Sequence, residues 1–477
     1  VPAAELSWEH LVSWALRGGP APVQLTDVSV ARIAVAEEQL RLAGRSGAVY
    51  GLTTGVGALR TVPRPQPVPD DGSSPGLRLW RSHATGIGET YDDATTRAGM
   101  AIRLHQITSG RSGVSSGLAS SLGDAIASGA LPDLHRSGSI GTGDLVPLAQ
   151  LALTLVGERP WRSGSVPAAP VDDSDALPFM SSNALTLAAS ALVHHRLVLL
   201  SIAAEKVAAL SVAALRGSLE PFDPRVHARR PDASQQRVAG RLMGLLAEPR
   251  WTPARLQDPF ALRTLPQVHA PFVDALSTLV ESVLIEVNDP TENPLVDDDG
   301  TPLHHGGYMT ARLSATLDAL RQASYPVMAL SAARLSALVD PALTGLPAFL
   351  ASGPPDSSGV MVLEYVAQDA LARCRLLTSP VSTGNLSISL GLEEHASFST
   401  QAAWACERMA EQAPVVLACE LVAAVRALRM GPDRLGDGPL RELFDLAASR
   451  LDDDRADRPL TEDLTAAVSL VQQGLGA

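Results

Sequence analysis

From about residue 183 to the C-terminus, apolar positions recur at helical spacing in long blocks, and polar or Pro/Gly-rich joints separate the blocks. That periodicity predicts helices over about 183–215, 236–247, 268–289, 310–338, 360–378, 395–429 and 460–474. Residues 1 to about 60 read as two short helices and then a glycine-rich loop, YGLTTGVG, from Tyr50 to Gly57. Pro, Asp, Gly and Ser crowd Arg60 to Gly76, which is expected to be a mobile surface loop. A second glycine-rich segment, HRSGSIGTGD from His135 to Asp144, precedes the apolar run LVPLAQLALTL. Asp144 suits the N-cap of that run, and Pro147 falls in the first turn, where a missing N–H costs nothing. Strand signals are weak; Asn293 to Val296 is short enough only to pair locally. Long helices with polar connections specify an all-α bundle. The expected division is an N-terminal domain, 1–180, carrying the Tyr50 loop and loop 138–144, and a helical remainder, 181–477.

Composition narrows the function classes. At 477 residues, 45% hydrophobic and only 4% aromatic, the chain has an aliphatic core. A net charge of −13, with no dense Lys/Arg run, argues against a nucleic-acid partner. Cys374, Cys406 and Cys419 form no Cys-x-x-Cys and suit a reducing compartment, so a cytoplasmic location is expected. The opening VPAAELSWEH lacks the basic and apolar regions of a signal peptide. The longest apolar tract, Ala184 to Leu215, is broken by His194, His195, Arg196, Glu205 and Lys206, so a buried helix is expected there rather than a membrane span.

Several residue groups carry possible chemistry. Gly113-Val114-Ser115-Ser116-Gly117 has the spacing of a nucleophile elbow, but helical text precedes it where an elbow needs a strand, so a helix-joining turn is expected. Gly138 to Gly143 lacks the lysine of a phosphate-binding loop. The adjacent pairs His194-His195 and His304-His305 cannot share one helix face, and no metal site is expected. Tyr50, between close-approaching glycines, is a candidate base if a cation or donor stabilises its phenolate; the alternative is a loop aromatic plugging a groove. Arg263, at a tight helix entry after Gln257-Asp258-Pro259-Phe260, suits a carboxylate clamp or a helix-start ion pair. Glu393 and Glu394, before a long helix, suit proton transfer or simple helix-dipole stabilisation.

Taken together, YGLTTGVG, SHATGIG (Ser82 to Gly88), GSIGTGDLVPLAQLAL, LQDPFALRTLPQVH, IEVNDPTENPLV and LEEHASF resemble, in order and spacing, the segments of the aromatic amino acid ammonia-lyases and aminomutases. The resemblance covers nearly the whole chain. It implies a long-helix bundle of the ammonia-lyase/fumarase-like type, a cytoplasmic obligate homotetramer and a small-molecule substrate, with no nucleic-acid or membrane partner. It also implies an electrophilic methylidene-imidazolone made from the protein's own Ala-Ser-Gly. Carried over by position, Tyr50 is the base, His83 a substrate-side histidine, Glu393 the acid near the substrate amine, and Gln257, Arg263 and Asn288 substrate-binding groups; Asn293 matches a further polar position.

The departures are informative. The cofactor loop reads Gly141-Thr142-Gly143-Asp144, one residue short and without the serine that supplies the methylene. Ser181 stands where an asparagine supports the group, Phe260 where a tyrosine is usual, and Met309 where a phenylalanine is usual. The expectation is therefore a lyase-superfamily enzyme with no such cofactor. It would perform acid–base elimination or addition, isomerisation or cyclisation on a small carboxylate- or amino-acid-derived specialised metabolite. The alternatives are a conventional ammonia-lyase or aminomutase with an unusual cofactor, and a non-catalytic homologue that keeps the tetramer scaffold.

Overall fold

The computed structural model describes residues 5–64, 74–247, 249–289 and 292–477. The middle of the Arg60–Gly76 loop, residues 65–73, lies outside the described residues. The fold is all-α. The long helices run Ala184–Ala214, Leu265–Asn288, Ala311–Val339, Val362–Leu376 and Ser399–Met430, close to the ranges the periodicity predicts. The second N-terminal helix is not short: Asp27–Ser46 has 20 residues, started by a reciprocal capping box between Thr26 and Ser29. A helix at Pro439–Ala448 was not legible, because Gly436, Gly438 and Pro439 read as punctuation; Pro439 in fact occupies the first turn.

The chain forms two compact units, Val1–Leu192 with Val280–Leu317 and Pro380–Trp404, and Val193–Leu279 with Asp318–Ser379 and Ala405–Ala477. Both are discontinuous, and residue 180 falls inside the first. The reason is helix length: at 31 residues, Ala184–Ala214 is about 46 Å long, more than a small domain's width. The helix ending at Ala214 is apolar enough to cross a bilayer, but 78% of its apolar window is buried inside the protein.

In the first unit the helix Asp93–Thr108 is buried at nearly every position from Thr95 onward. Its Arg103 is fully buried, pairs with Glu292 at 2.6 Å and donates to the carbonyls of Pro178 and Phe179. Ser115 of the elbow-like sequence lies between two helices. It caps Ser116–Ser128, while its N–H and hydroxyl both donate to Asp175, so it is a structural turn residue. Strand is confined to two short pairs, and Leu295–Val296 pairs with Pro302–Leu303.

In the second unit two arginines grip glutamates bidentately. Arg334 grips Glu420 with both partners fully buried, and Arg241 donates two bonds to Glu205. Two parallel bonds make the buried Arg334–Glu420 pair tolerable, whereas Arg241 is half-exposed and only its partner Glu205 is buried.

Candidate active site

The Tyr50 loop needs its glycines for backbone approach. Gly51 has φ +72°, and a Cβ there would fall 2.3 Å from Leu177. Gly57 has φ +54°, and a Cβ there would fall 2.5 Å from Ser389 Oγ and 3.3 Å from Glu393 Oε1. The bare Gly57 backbone therefore passes close to Glu393, and its N–H donates to Tyr50 Oη at 2.8 Å. The Tyr50 N–H donates to His304 Nε2 at 3.2 Å, which makes His304 a neutral acceptor. Glu393 follows a tight turn in which Ser389 and Leu390 both have positive φ, an uncommon conformation for residues with side chains.

Loop 138–144 is held by consecutive contacts. The carbonyl of Ser139 accepts from Gln401 Nε2 at 2.8 Å and that of Ile140 from Phe398 N–H at 2.8 Å. The Gly141 carbonyl accepts from Ser397 Oγ at 2.8 Å, with Thr310 Oγ1 at 3.4 Å. The Gly143 N–H donates to Asn183 Oδ1 at 3.1 Å, and Asn183 Nδ2 donates to the Tyr308 carbonyl at 2.8 Å. Asp144 precedes Leu145–Leu155 as expected, but its side chain makes no cap bond to that helix. Its carboxylate accepts instead from Thr186 N–H and Oγ1, both at 2.8 Å, and so caps the start of Ala184–Ala214. Full burial raises the Asp144 pKa against those bonds.

These elements enclose a cleft of about 310 Å³ in the first unit. Residues selected from sequence line it, among them Tyr50, Thr142, Ser181, Met309 and Glu393. Asn293, Glu394 and His395 line it as well, and so does Tyr308, which sequence reasoning missed although it follows Gly306-Gly307 much as Tyr50 sits among glycines. His83 and Asn288 are not among the lining residues. His83 Nδ1 bonds the Leu79 carbonyl, and Asn288 Oδ1 is engaged by His105 and by the Leu6 N–H. Gln257, Phe260 and Arg263 belong to the second unit. There Arg255 and Asp258 brace the turn, Gln257 is exposed, and the Arg263 guanidinium lies 4.5 Å from the centre of the exposed Phe260 ring. Arg263 forms no ion pair among the described residues, and its buried Nε has no hydrogen-bond partner.

Burial raises the Tyr50 phenol pKa; the Gly57 N–H and Arg60 oppose the rise, and the Glu393 charge adds to it. The Tyr308 pKa is also raised, by burial and by the charges of Tyr50 and Glu393. Both phenols therefore rest protonated at neutral pH.

The loop does not fit a serine-derived methylidene-imidazolone. No serine stands between Gly141 and Gly143 to supply the methylene. The backbone around the missing position is tightly held: Gly141 has φ +81°, and a Cβ there would lie 1.9 Å from Ser397 Oγ and 2.8 Å from Ser399 N.

A model of the aromatic amino acid lyase family matches residues 6–448. The chain belongs to that family. Histidine ammonia-lyase of Geobacillus kaustophilus is 32% identical over 445 residues, covering 89% of this chain and 88% of that protein. Among solved structures, histidine ammonia-lyase of Trypanosoma cruzi is similar over 100% of this chain and 93% of that one, with a TM-score of 0.87 and 25% identity. Phenylalanine aminomutase of Pantoea agglomerans covers 99% and 98%, with a TM-score of 0.90 and 22% identity, a likeness of fold. As a family member, the chain is placed among lyases.

Proposed function

We propose that this lyase-family chain works without a methylidene-imidazolone and carries out acid–base elimination or addition, isomerisation or cyclisation on a small carboxylate- or amino-acid-derived specialised metabolite. One observation carries the reading: Tyr50 and Glu393 share a cleft with Thr142, which sits where the family electrophile would need a serine. The cleft's volume suits a small metabolite. Tyr50 is the base once its phenolate is stabilised. The Gly57 N–H is one donor to that oxygen. A positive group on the substrate, drawn to Glu393, adds to Arg60 as a cation that favours the phenolate. The unpaired Arg263 guanidinium supports its assignment to the substrate carboxylate. Lacking a strong electrophile, the reaction calls for an acidic C–H or a better leaving group than a plain amine. A cytoplasmic homotetramer belongs to the same reading; Leu256 and Leu390, each 94% exposed, support burial of further surface in an assembly.

Two measurements test it. The intact protein is expected to have the mass of its plain sequence; loss of two water molecules at 141–143 overturns the cofactor-free reading. A panel of carboxylate metabolites in D₂O is expected to reveal a substrate by deuterium uptake or alkene formation, and turnover that survives Tyr50→Phe removes Tyr50 as the base. The identity to histidine ammonia-lyase favours a second reading, an ammonia-lyase with a ring built on Thr142, for which two lost waters and release of ammonia from L-histidine are expected.

A further inference from the structure

We propose that Tyr308 is the general acid of this cleft, paired with Tyr50 as the base. The proposal rests on the Tyr50 assignment above. Both phenols line the same cleft, and the two oxygens are served differently. Tyr50 Oη accepts a hydrogen bond from the Gly57 N–H, a fixed donor that favours phenolate. The Tyr308 hydroxyl has no hydrogen-bond partner among the described residues, so its proton is free for a ligand. Its main chain is nonetheless fixed, because Asn183 ties the Tyr308 carbonyl to the Gly143 N–H. Any negative charge on Tyr50 or Glu393 holds the Tyr308 proton more tightly. Two phenols on one cleft, one with a fixed N–H donor on its oxygen and one with its proton unengaged, are placed to act as base and acid.

The step balances. The Tyr50 phenolate takes the substrate C–H proton, and that electron pair becomes the new C=C bond as the adjacent C–X bond breaks. X keeps the bond's electrons, takes the Tyr308 proton and leaves as HX. Tyr50 ends as phenol and Tyr308 as phenolate, and one proton passed between them through Glu393 or water restores both.

The test needs no substrate. The full chain is made with 3-fluorotyrosine, which lowers every phenol pKa into a range where the fold survives, and its five tyrosines are followed by ¹⁹F NMR and assigned by Phe substitution. The titratable and charged groups around the pair are Glu393, Glu394, His395, His304 and Arg60. Tyr308 is expected to ionise after Tyr50, and Tyr50→Phe to lower its midpoint. Should Tyr50→Phe misfold, Glu393→Gln is expected to move Tyr308 the same way. Ionisation of Tyr308 ahead of Tyr50, or a midpoint unmoved by both variants, overturns the assignment. In turnover of a substrate from the panel, Tyr308→Phe is expected to lower kcat by roughly 10²-fold and to abolish the high-pH limb of the rate profile. A normal high-pH limb in Tyr308→Phe sinks only the acid. Turnover insensitive to Tyr50→Phe sinks the base reading itself.

Discussion

Replacing Gly141 by alanine puts a single methyl group into the loop where the family builds its electrophile. With φ at +81°, a side-chain residue is strained at about 1–2 kcal/mol. A methyl 1.9 Å from Ser397 Oγ displaces that hydroxyl and breaks its bond to the Gly141 carbonyl, costing about 1 kcal/mol more. The main chain at Ser399 N, 2.8 Å away, cannot rotate aside as a side chain can, and overpacking of this kind costs about 1–3 kcal/mol. The sum is about 3–6 kcal/mol, a large share of a typical domain's stability. Thermal and denaturant unfolding of Gly141→Ala should show it. Combining it with Ser397→Gly should recover about 1–2 kcal/mol, because the hydroxyl contact is then gone while the strain and the Ser399 contact remain. A Gly141→Ala protein within about 0.5 kcal/mol of the parent would refute the claim that this loop has no space for a side chain at 141.

The remaining predictions concern charge. Glu393→Gln removes a neighbouring negative charge, so the Tyr50 pKa should fall and the base limb of any rate profile should move to lower pH; an unchanged or higher midpoint in a phenol titration contradicts this. Burial pushes Asp175 up to about 7 from 3.8, so between those values the folded state holds more protons than the unfolded state. The associated stability is complete below about 4 and is lost as pH rises through about 7, so the melting temperature of the parent should fall across that window relative to Asp175→Asn. Arg103→Met removes the buried Arg103–Glu292 ion pair and frees the carbonyls of Pro178 and Phe179. A loss of about 3–5 kcal/mol is expected in unfolding experiments, against a small change if the pair were dispensable.

Most of the helical fold was legible because apolar spacing survives in any buried helix; the caps at Thr26, Asp92 and Ser115 emerge from the structure. The division into units was not legible, since it depends on which stretch of one long helix packs where. Of the site, Tyr50, Thr142 and Glu393 carried readable local signals. The clamp on the Gly141 carbonyl did not, because Thr310 and Ser397 are remote in sequence and are ordinary residues until the chain brings them together. The same holds for Asp144, whose cap bond goes to a helix 40 residues on rather than to its own.

Satisfied polar groups and unsatisfied ones divide the cleft by purpose. Asp144, Asn183, Ser397 and Thr310 spend hydrogen bonds on loop 138–144 and on the start of Ala184–Ala214, with further bonds from Asn183 to the Tyr308 carbonyl and between Thr310 and Ser399. Their presence is explained by folding alone and carries no argument about chemistry. The Glu393 carboxylate and the Tyr308 hydroxyl line the cleft and, among the described residues, bond to nothing in the protein. The Arg263 guanidinium is likewise without an ion pair. Keeping a partly buried polar group unpaired costs stability, on the order of 1–3 kcal/mol for each fully buried donor or acceptor. A ligand with a positive centre and a transferable proton would satisfy the two cleft groups. That unmet capacity, rather than the retained glycines of the loop, is the physical argument for the proposed chemistry without the electrophile.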